Sequence, residues 1–269
     1  MRVLGRAGYT LAAVFFAVPF FGLVDLLAVT GDPAWVVPLV PLEVSWGVLF
    51  TVFVAGTFAA LAVRPSLGAV AGVQFGIVAV ALLVCAAAGR DAGPLAPAAV
   101  LALAAVLLGR RGLGAAGSAV PPWLRLRDPL LLVAVAAAPF WAAAALAALE
   151  RSRRAAPWDR DVTMGIDHWP VHAAALLTIA ASAVVAALSR TGRRFLSGTA
   201  SVAGALFAAA SLAYPRALGA LPSLEWSLVA LVWALAVSLI GGTAPRAPAS
   251  RDGGQEVLER VPGADDGRG

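Results

Sequence analysis

The side chains most able to carry chemistry lie in one polar stretch, residues 158–172 (WDRDVTMGIDHWPVH), between two long apolar runs. It contains both histidines of the chain, His168 and His172. Residues four apart on a helix share a face, and two imidazoles on one face can bind one metal ion. No glutamate follows the first histidine, so the H-E-x-x-H pattern of zinc proteases is absent. Three roles remain: hydrogen bonding at the membrane surface, which we favour, a metal site, and a proton relay or pH sensor.

Four carboxylates are candidates for a site shared with these histidines. Asp167 directly precedes His168 and is predicted to be the N-cap of a helix with Pro170 in its first turn. Asp25 lies about one turn inside an apolar run, where an acidic side chain is costly and indicates a partner such as His168 or Arg160. If this span ends earlier, Asp25 lies at the membrane interface instead. For a metal, the ligands would be His168 and His172 with one of the carboxylates. The candidate substrate or ion path consists of Asp25, Glu43, Asp161, Asp167, His168 and His172.

Several other chemistries are excluded by what the sequence lacks. It has no G-x-S-x-G, P-loop, dinucleotide-binding or Cys/His zinc pattern, and without lysine it cannot form a retinal-type Schiff base. The single cysteine, Cys85, excludes an intramolecular disulfide and a CxxC redox pair. The net charge of +5 comes from arginines scattered over loop ends, so nucleic acid is not an expected partner. No cofactor is indicated beyond the divalent metal considered above.

The elements that must position these side chains are membrane-spanning helices. Hydrophobic residues make up 61% of the chain and charged residues 13%, whereas soluble domains are about a quarter charged. The period-2 pattern of a membrane barrel is absent, and apolar runs of about 20 residues favour helices that satisfy their own backbone. The predicted fold class is an all-α polytopic membrane protein with eight spans, at 8–29, 44–63, 67–88, 93–109, 129–149, 168–189, 195–214 and 221–241.

Arginine placement predicts the orientation of these spans. Arginines concentrate at the start of the chain and in alternate loops, for example at Arg64 and Arg193, which the positive-inside rule assigns to the cytoplasm. We therefore expect a multi-pass protein of the cell membrane with both termini in the cytoplasm and an uncleaved first helix. The arginine cluster at 151–154, on the opposite side, is the main exception. Tryptophans near that outer side predict an interfacial belt of Trp35, Trp46, Trp158, Trp169 and Trp226.

The two halves of the chain resemble each other. AVPFFGLVDLLAV (17–29) aligns with AAPFWAAAALAAL (137–149), which places Pro19 opposite Pro139 and predicts a kink in both helices. Two further landmarks recur in the same order, so we predict a tandem duplication whose copies are related by an axis along the membrane normal. The predicted domains are a first four-helix repeat (1–109), a cytoplasmic linker (110–128), a second four-helix repeat (129–242) and a disordered cytoplasmic tail (243–269).

Three functions are compatible with this pattern, and a transporter- or permease-like protein ranks first. The parallel repeat and the paired prolines favour it, whereas the near absence of charge deep in the helices counts against it. One alternative is a membrane enzyme that uses the outward His/Asp group as an acid–base or metal site, although a role without catalysis ranks higher. The other is a structural, sensory or assembly protein whose outer loop contacts a membrane or extracytoplasmic partner. The lipid bilayer is the one partner implied directly, and no substrate is identified.

Overall fold

The computed structural model describes residues 2–27, 37–112, 128–154, 162–163, 165–189 and 191–243. Most of the predicted linker, the predicted tail after Thr243, and Asp161 lie outside the described residues. The described part is helical apart from one two-stranded hairpin. Its α-helices are α1 (Arg2–Ala17), α2 (Gly22–Leu26), α3 (Val40–Gly47), α4 (Gly56–Val63), α5 (Gly68–Gly89), α6 (Leu95–Gly112), α7 (Pro129–Arg154), α8 (His168–Leu188), α9 (Arg193–Ala213) and α10 (Leu224–Gly242). The hairpin consists of β1 (Val162–Thr163) and β2 (Ile166–Asp167), and 3-10 turns cover Val37–Leu39 and Pro65–Leu67.

Six helical segments are long and apolar enough to cross a membrane, with mean hydropathies between 1.6 and 2.4. They are Val40–Val63, Pro65–Gly89, Pro129–Arg154, His168–Leu188, Arg193–Ala213 and Leu224–Gly242. The chain is therefore all-α and has the helices of a multi-pass membrane protein. The other two predicted spans correspond to α1, of 16 residues, and to the shorter apolar helix Leu95–Arg110. Sixteen helical residues reach about 24 Å, less than the ~30 Å of a bilayer core, so eight spans are not confirmed.

The first predicted span, 8–29, is interrupted at Pro19. Helix α1 ends at Ala17, and Phe21 adopts a left-handed backbone conformation (φ 61°) immediately before α2. Proline lacks the amide hydrogen and its ring clashes with the preceding turn, and here the helix breaks rather than kinks. Helix α7, by contrast, continues through Pro139. The two aligned prolines therefore affect their helices differently, and the predicted repeat is not confirmed.

A π-helix (Val48–Ala55) joins α3 to α4 within one continuous segment. Segments of this kind are rare and occur frequently at functional sites. The Thr51 hydroxyl oxygen, in this π-helix, is buried and has no hydrogen-bond partner in the described part of the chain. A Cβ atom built on Gly22 would lie 2.8 Å from it. The π-helix therefore places a buried hydroxyl against the start of α2.

Helix α2 and helix α3 approach each other at a pair of glycines. A Cβ atom built on Gly47 would lie 2.4 Å from the Leu26 backbone nitrogen and 2.8 Å from the Gly22 carbonyl oxygen. Real Cβ atoms do not approach backbone atoms this closely, so only glycine fits. Small residues allow helix backbones to approach in this way inside a membrane. The contact holds α2 directly against the helix that carries Glu43.

Helix α8 occupies the centre of the bundle and packs against α7, α9, α5 and α3. Most of its residues are buried, and many are alanines, which permit close helix packing. A Cβ atom on Gly89, the last residue of α5, would lie 3.1 Å from Pro170 Cγ, so the end of α5 meets the start of α8. We call this end of the bundle, with the starts of α3 and α8 and the ends of α5 and α7, the histidine end. The core contains fully buried Trp46, Trp141, Phe50, Phe53, Phe75 and Phe207.

At the opposite end of the bundle, an ion pair joins the starts of α7 and α9. Both terminal nitrogens of Arg193 bond the Asp128 carboxylate, with Nη2 3.0 Å from Oδ1. The Leu130 amide also donates to Asp128 Oδ1 at 2.9 Å. Burial acts to raise the pKa of Asp128, but the hydrogen bonds from Arg193 and Leu130 and the charge of Arg193 outweigh it and leave the pKa below its usual value.

We expect Asp128→Asn to lower the melting temperature in detergent near neutral pH, and to do so less in acid. Because the pKa of Asp128 is lower in the folded state, its carboxylate stabilises the fold at pH values above the unfolded-state pKa of about 3.9. This stabilisation is lost as the pH falls through the folded-state pKa. The difference in melting temperature between wild type and variant should therefore be largest near neutrality and shrink below about pH 4. Glu150→Gln, at an exposed surface ion pair with Arg153 and Arg154, is the control and should change little. A difference that grows in acid would contradict the expectation.

Candidate functional site

Asp167 caps α8 and connects it to two other elements. Its Oδ1 accepts the Trp169 amide hydrogen at 3.1 Å, which confirms the predicted N-cap. Its Oδ2 accepts the Ser152 hydroxyl of α7 at 2.9 Å, and its own amide donates to Asp91 Oδ2 at 3.3 Å. Asp167 and Ser152 are both buried, so these bonds form inside the protein. The cap thus joins α8 to α7 and to the loop between α5 and α6.

His168 is buried between polar side chains from two other elements. Its Nε2 lies 2.7 Å from Thr163 Oγ1 on β1, and its Nδ1 lies 3.7 Å from Glu43 Oε1 on α3. Its ring stacks on the indole of Trp46, with centroids 4.9 Å apart. At 3.7 Å the two atoms are too far apart for a hydrogen bond, and they form an ion pair only when the imidazole is protonated. His168 therefore connects the start of α8 to the start of α3.

The short hairpin brings Thr163 to His168. Val162 pairs with Asp167 and Thr163 with Ile166, and Gly165 makes the turn with a φ of 79°, which glycine adopts without steric cost. The hairpin rests on the loop between α5 and α6, because a Cβ atom on Gly93 would lie 3.0 Å from Ile166 Cα. The polar group at the histidine end is thus covered by the chain itself.

His172, one turn further along α8, has an aromatic rather than a polar environment. Its ring meets those of Trp169 and Phe207 edge-on, with centroids 5.9 and 5.4 Å apart. A Cβ atom on Gly219, in the loop between α9 and α10, would lie 3.3 Å from its Cε1. The side chain is buried, and its Nδ1 has no hydrogen-bond partner among the described residues. The two histidines share a helix face but have different surroundings.

The predicted site residues are brought together in part. Glu43, Asp167, His168 and His172 all lie at the histidine end, on or next to α3 and α8. Asp25 is buried in α2, which packs against α3 and the π-helix. Asp161 and Arg160 lie outside the described residues. Within the described ranges, no three His, Cys, Asp or Glu side chains form a group that could hold a metal ion.

The predicted tryptophan belt is wrong at two positions. Trp46 is completely buried, stacks on His168 and Phe20, and donates its indole N–H to the Phe20 carbonyl at 3.0 Å. Trp169 is also buried, and the Arg151 guanidinium lies 5.3 Å from its ring centroid. Trp226 is 46% exposed, and its place in the belt stays a prediction. Trp35 and Trp158 lie outside the described residues.

A second polar group lies deeper in the bundle, among three helices. Gln74 of α5 donates its side-chain N–H to Ser182 Oγ of α8 at 3.1 Å, and its Oε1 accepts the Thr199 hydroxyl of α9 at 3.1 Å. Gln74 and Ser182 are fully buried. One turn from Ser182, the buried Thr178 hydroxyl has no hydrogen-bond partner in the described part of the chain. Buried hydroxyls of this kind are normally hydrogen-bonded, often to internal water.

The polar side chains at the histidine end and those around Gln74 lie along most of the length of α8. We call them together the α8 column. Of its members, the histidines and Glu43 were predicted from sequence as site residues, and Gln74, a polar residue within an apolar run, is a weaker candidate from sequence. A single serine or threonine in an apolar helix carries a weak signal, although Ser182 follows His168 by 14 residues, close to four full turns, and so lies near the same face. The column consists of Glu43, Thr163, His168, His172, Thr178, Ser182, Gln74 and Thr199.

Comparison of the chain with protein-family models, with curated proteins and with solved structures yields no match. Evidence on function therefore comes from the α8 column itself.

Proposed function

We propose that this chain is a transporter-like membrane protein whose polar path follows α8 between the two halves of the molecule. The observation that carries the proposal is that buried and partly buried polar groups of the first half contact those of the second. Glu43 contacts His168 at the histidine end, and Gln74 bonds Ser182 and Thr199 deeper in the bundle. Polar side chains inside membrane helices are costly and mark ion or substrate paths. Transporters built from parallel repeats place such paths at the repeat interface.

The proposal includes eight crossings and two four-helix repeats. Helix α5 packs on α6 as α9 packs on α10, and α7 packs on α8 as α1 packs on α4 and the π-helix. These pairings are those that a tandem repeat would produce, despite the break at Pro19. Arg64 and Arg193 lie at the end opposite the histidine end, which favours a cytoplasmic location for that end. The histidine end would then face outward, and both termini would be cytoplasmic.

The test is the accessibility of the α8 column to a charged, membrane-impermeant thiol reagent. The natural Cys85 is buried, and Cys85→Ala would remove the remaining background. We expect Thr178→Cys and Ser182→Cys in that background to react about tenfold faster than controls, equivalent to ~1.4 kcal/mol in the opening equilibrium. A water-filled path reaches these side chains when the two halves separate, and the reagent cannot enter lipid.

Two matched controls make this test specific. Ile179→Cys places the thiol on the same helix next to Thr178, at a fully buried apolar position. Val80→Cys places it on α5 at a position that is 60% exposed, which lies against lipid if the chain spans a membrane. Equal and slow labelling at all four positions would contradict the proposal and favour a structural or assembly protein.

A membrane enzyme is the second candidate, favoured by one feature. Glu43 and Thr163 hold His168 from opposite sides, as a carboxylate orients a catalytic base in many enzymes. His168 is only 1% exposed, so a substrate would require the hairpin to move. Elemental analysis of wild type beside His168→Ala/His172→Ala distinguishes the metal form of this candidate, since only that form requires metal that the double variant loses.

A further inference from the structure

We infer that the ion moved along the α8 column is the proton, and that His172 carries it between the Glu43–His168 pair and Thr178. This inference rests on the proposed function and specifies its cargo. It depends on two observations in the described part of the chain: a buried imidazole with one nitrogen that has no hydrogen-bond partner, and a fully buried hydroxyl with no hydrogen-bond partner further along the same helix. Both side chains are buried, and His172 Nδ1 and Thr178 Oγ1 have no hydrogen-bond partner among the described residues.

The side chains that α8 offers favour the proton over the divalent cations calcium and magnesium. Calcium takes six to eight oxygen ligands and magnesium a near-ideal octahedron, in general. Between His168 and Ser182, the described residues of α8 offer one hydroxyl and one imidazole to a bound ion. A proton needs only one acceptor at each step, hydroxyl and imidazole groups can pass it through intervening water, and a side-chain amide can orient that water by hydrogen bonds.

Proton transfer through an imidazole ring needs no co-reactant. One ring nitrogen of His172 accepts a proton and the other nitrogen releases one, so the ring gains no net charge over the complete step. Rotation of the ring about its side-chain bonds then restores the original tautomer, ready for the next proton. The neighbours of the ring include Phe207 from α9 and Gly219 from the adjoining loop. The charged or titratable groups that act on His172 are Arg151 of α7 and His168 of α8.

The spacing along α8 fits a relay. His172 follows His168 by four residues, which places their side chains about 5–6 Å apart at Cβ. Thr178 follows His172 by six residues, about 9 Å along the helix axis and about 120° around it, so a chain of more than one water must connect them when the two halves separate. Ser182 then follows Thr178 by one turn and connects to Gln74 and Thr199. The order of groups along the helix is thus two imidazoles, the Thr178 hydroxyl, and then the hydrogen-bonded side chains of Ser182, Gln74 and Thr199.

The experiment uses the full chain in lipid vesicles that contain a trapped pH-sensitive dye, with a potassium diffusion potential imposed by valinomycin. We expect wild-type vesicles to acidify about tenfold faster than protein-free vesicles, which corresponds to ~1.4 kcal/mol in the barrier. His172→Phe preserves an aromatic ring for Trp169 and Phe207, and Thr178→Val preserves volume. Each should return the rate close to that of protein-free vesicles. Ile179→Val, a conservative change at the neighbouring apolar position, should leave the rate unchanged.

Every outcome distinguishes the inference from the proposed function. Protection of the Cys85 thiol from modification verifies that each variant is folded, since Cys85 is buried. Wild-type vesicles that show no added proton flux, although Thr178→Cys is labelled, would overturn the inference and leave the transporter proposal in place. Absence of both flux and labelling would overturn both. The inference would also be overturned if the proton flux were unchanged in His172→Phe and in Thr178→Val.

Discussion

Replacing Asp167 with alanine is expected to destabilise the protein by about 2–4 kcal/mol, through two losses at one side chain. The first is the N-cap of α8, because Oδ1 accepts the Trp169 amide hydrogen, and removal of such a cap costs about 0.5–2 kcal/mol. The second is the acceptor for Ser152, whose hydroxyl is completely buried and bonds Oδ2. A buried donor left without an acceptor costs about 1–3 kcal/mol.

The measurement is the temperature at which Cys85 becomes reactive toward a thiol-sensitive dye. This thiol is buried in α5, so it reports loss of the helix bundle. Asp167→Asn is the matched control, because its amide oxygen can still accept from the Trp169 amide, and it should be intermediate. If alanine and asparagine were both as stable as wild type, Asp167 would not be the connection between α7 and α8 that the geometry indicates.

Replacing Gly47 with alanine is expected to separate α2 from α3, with a loss of about 1–3 kcal/mol or more. The added methyl group would lie 2.4 Å from the backbone nitrogen and 2.7 Å from the Cα atom of Leu26. Neither atom belongs to a side chain that can rotate away, so the whole of α2 must move. Because Trp46 precedes Gly47 and donates to the Phe20 carbonyl, this bond should be strained as well.

Gly198→Ala is the matched control for that substitution. It is also a helical glycine in a candidate span, but no atom lies within 4 Å of its built Cβ. Alanine should leave the stability there unchanged or raise it by up to about 1 kcal/mol, the difference in helix propensity. Melting of both variants in the same detergent gives the comparison. An equal response of Gly47→Ala and Gly198→Ala would contradict the close approach of α2 and α3.

The features that the sequence predicted correctly are those with local causes. The cap at Asp167 follows from an acidic residue placed before an apolar run, with proline in the first turn. The helical class follows from the apolar content. The environment of Trp46 could not be predicted, because tryptophan fits both an interface and a core. Its burial depends on Phe20 and His168, which come from distant parts of the chain.

Features with long-range causes were predicted least well. The contact of His168 with Glu43 joins residues 125 positions apart and required the packing of α3 on α8. The role of Thr163 depends on a two-residue strand pair, which is too short to give a period-2 signal. The break at Pro19 is local, but proline within a membrane helix gives different results in different surroundings. Pro139 illustrates this, since α7 continues past it.

The π-helix between α3 and α4 determines how far α3, which carries Glu43, is rotated about the helix axis relative to α4. In an α-helix each residue turns the chain by about 100° and advances it by about 1.5 Å. A π segment has more residues per turn, so the two ends of this helix are offset from the positions that an uninterrupted α-helix would give them. If the eight residues Val48–Ala55 formed a plain α-helix instead, Glu43 would be rotated relative to α4. The meeting of Glu43 with His168 therefore depends on the backbone geometry of this span as well as on the identity of its residues.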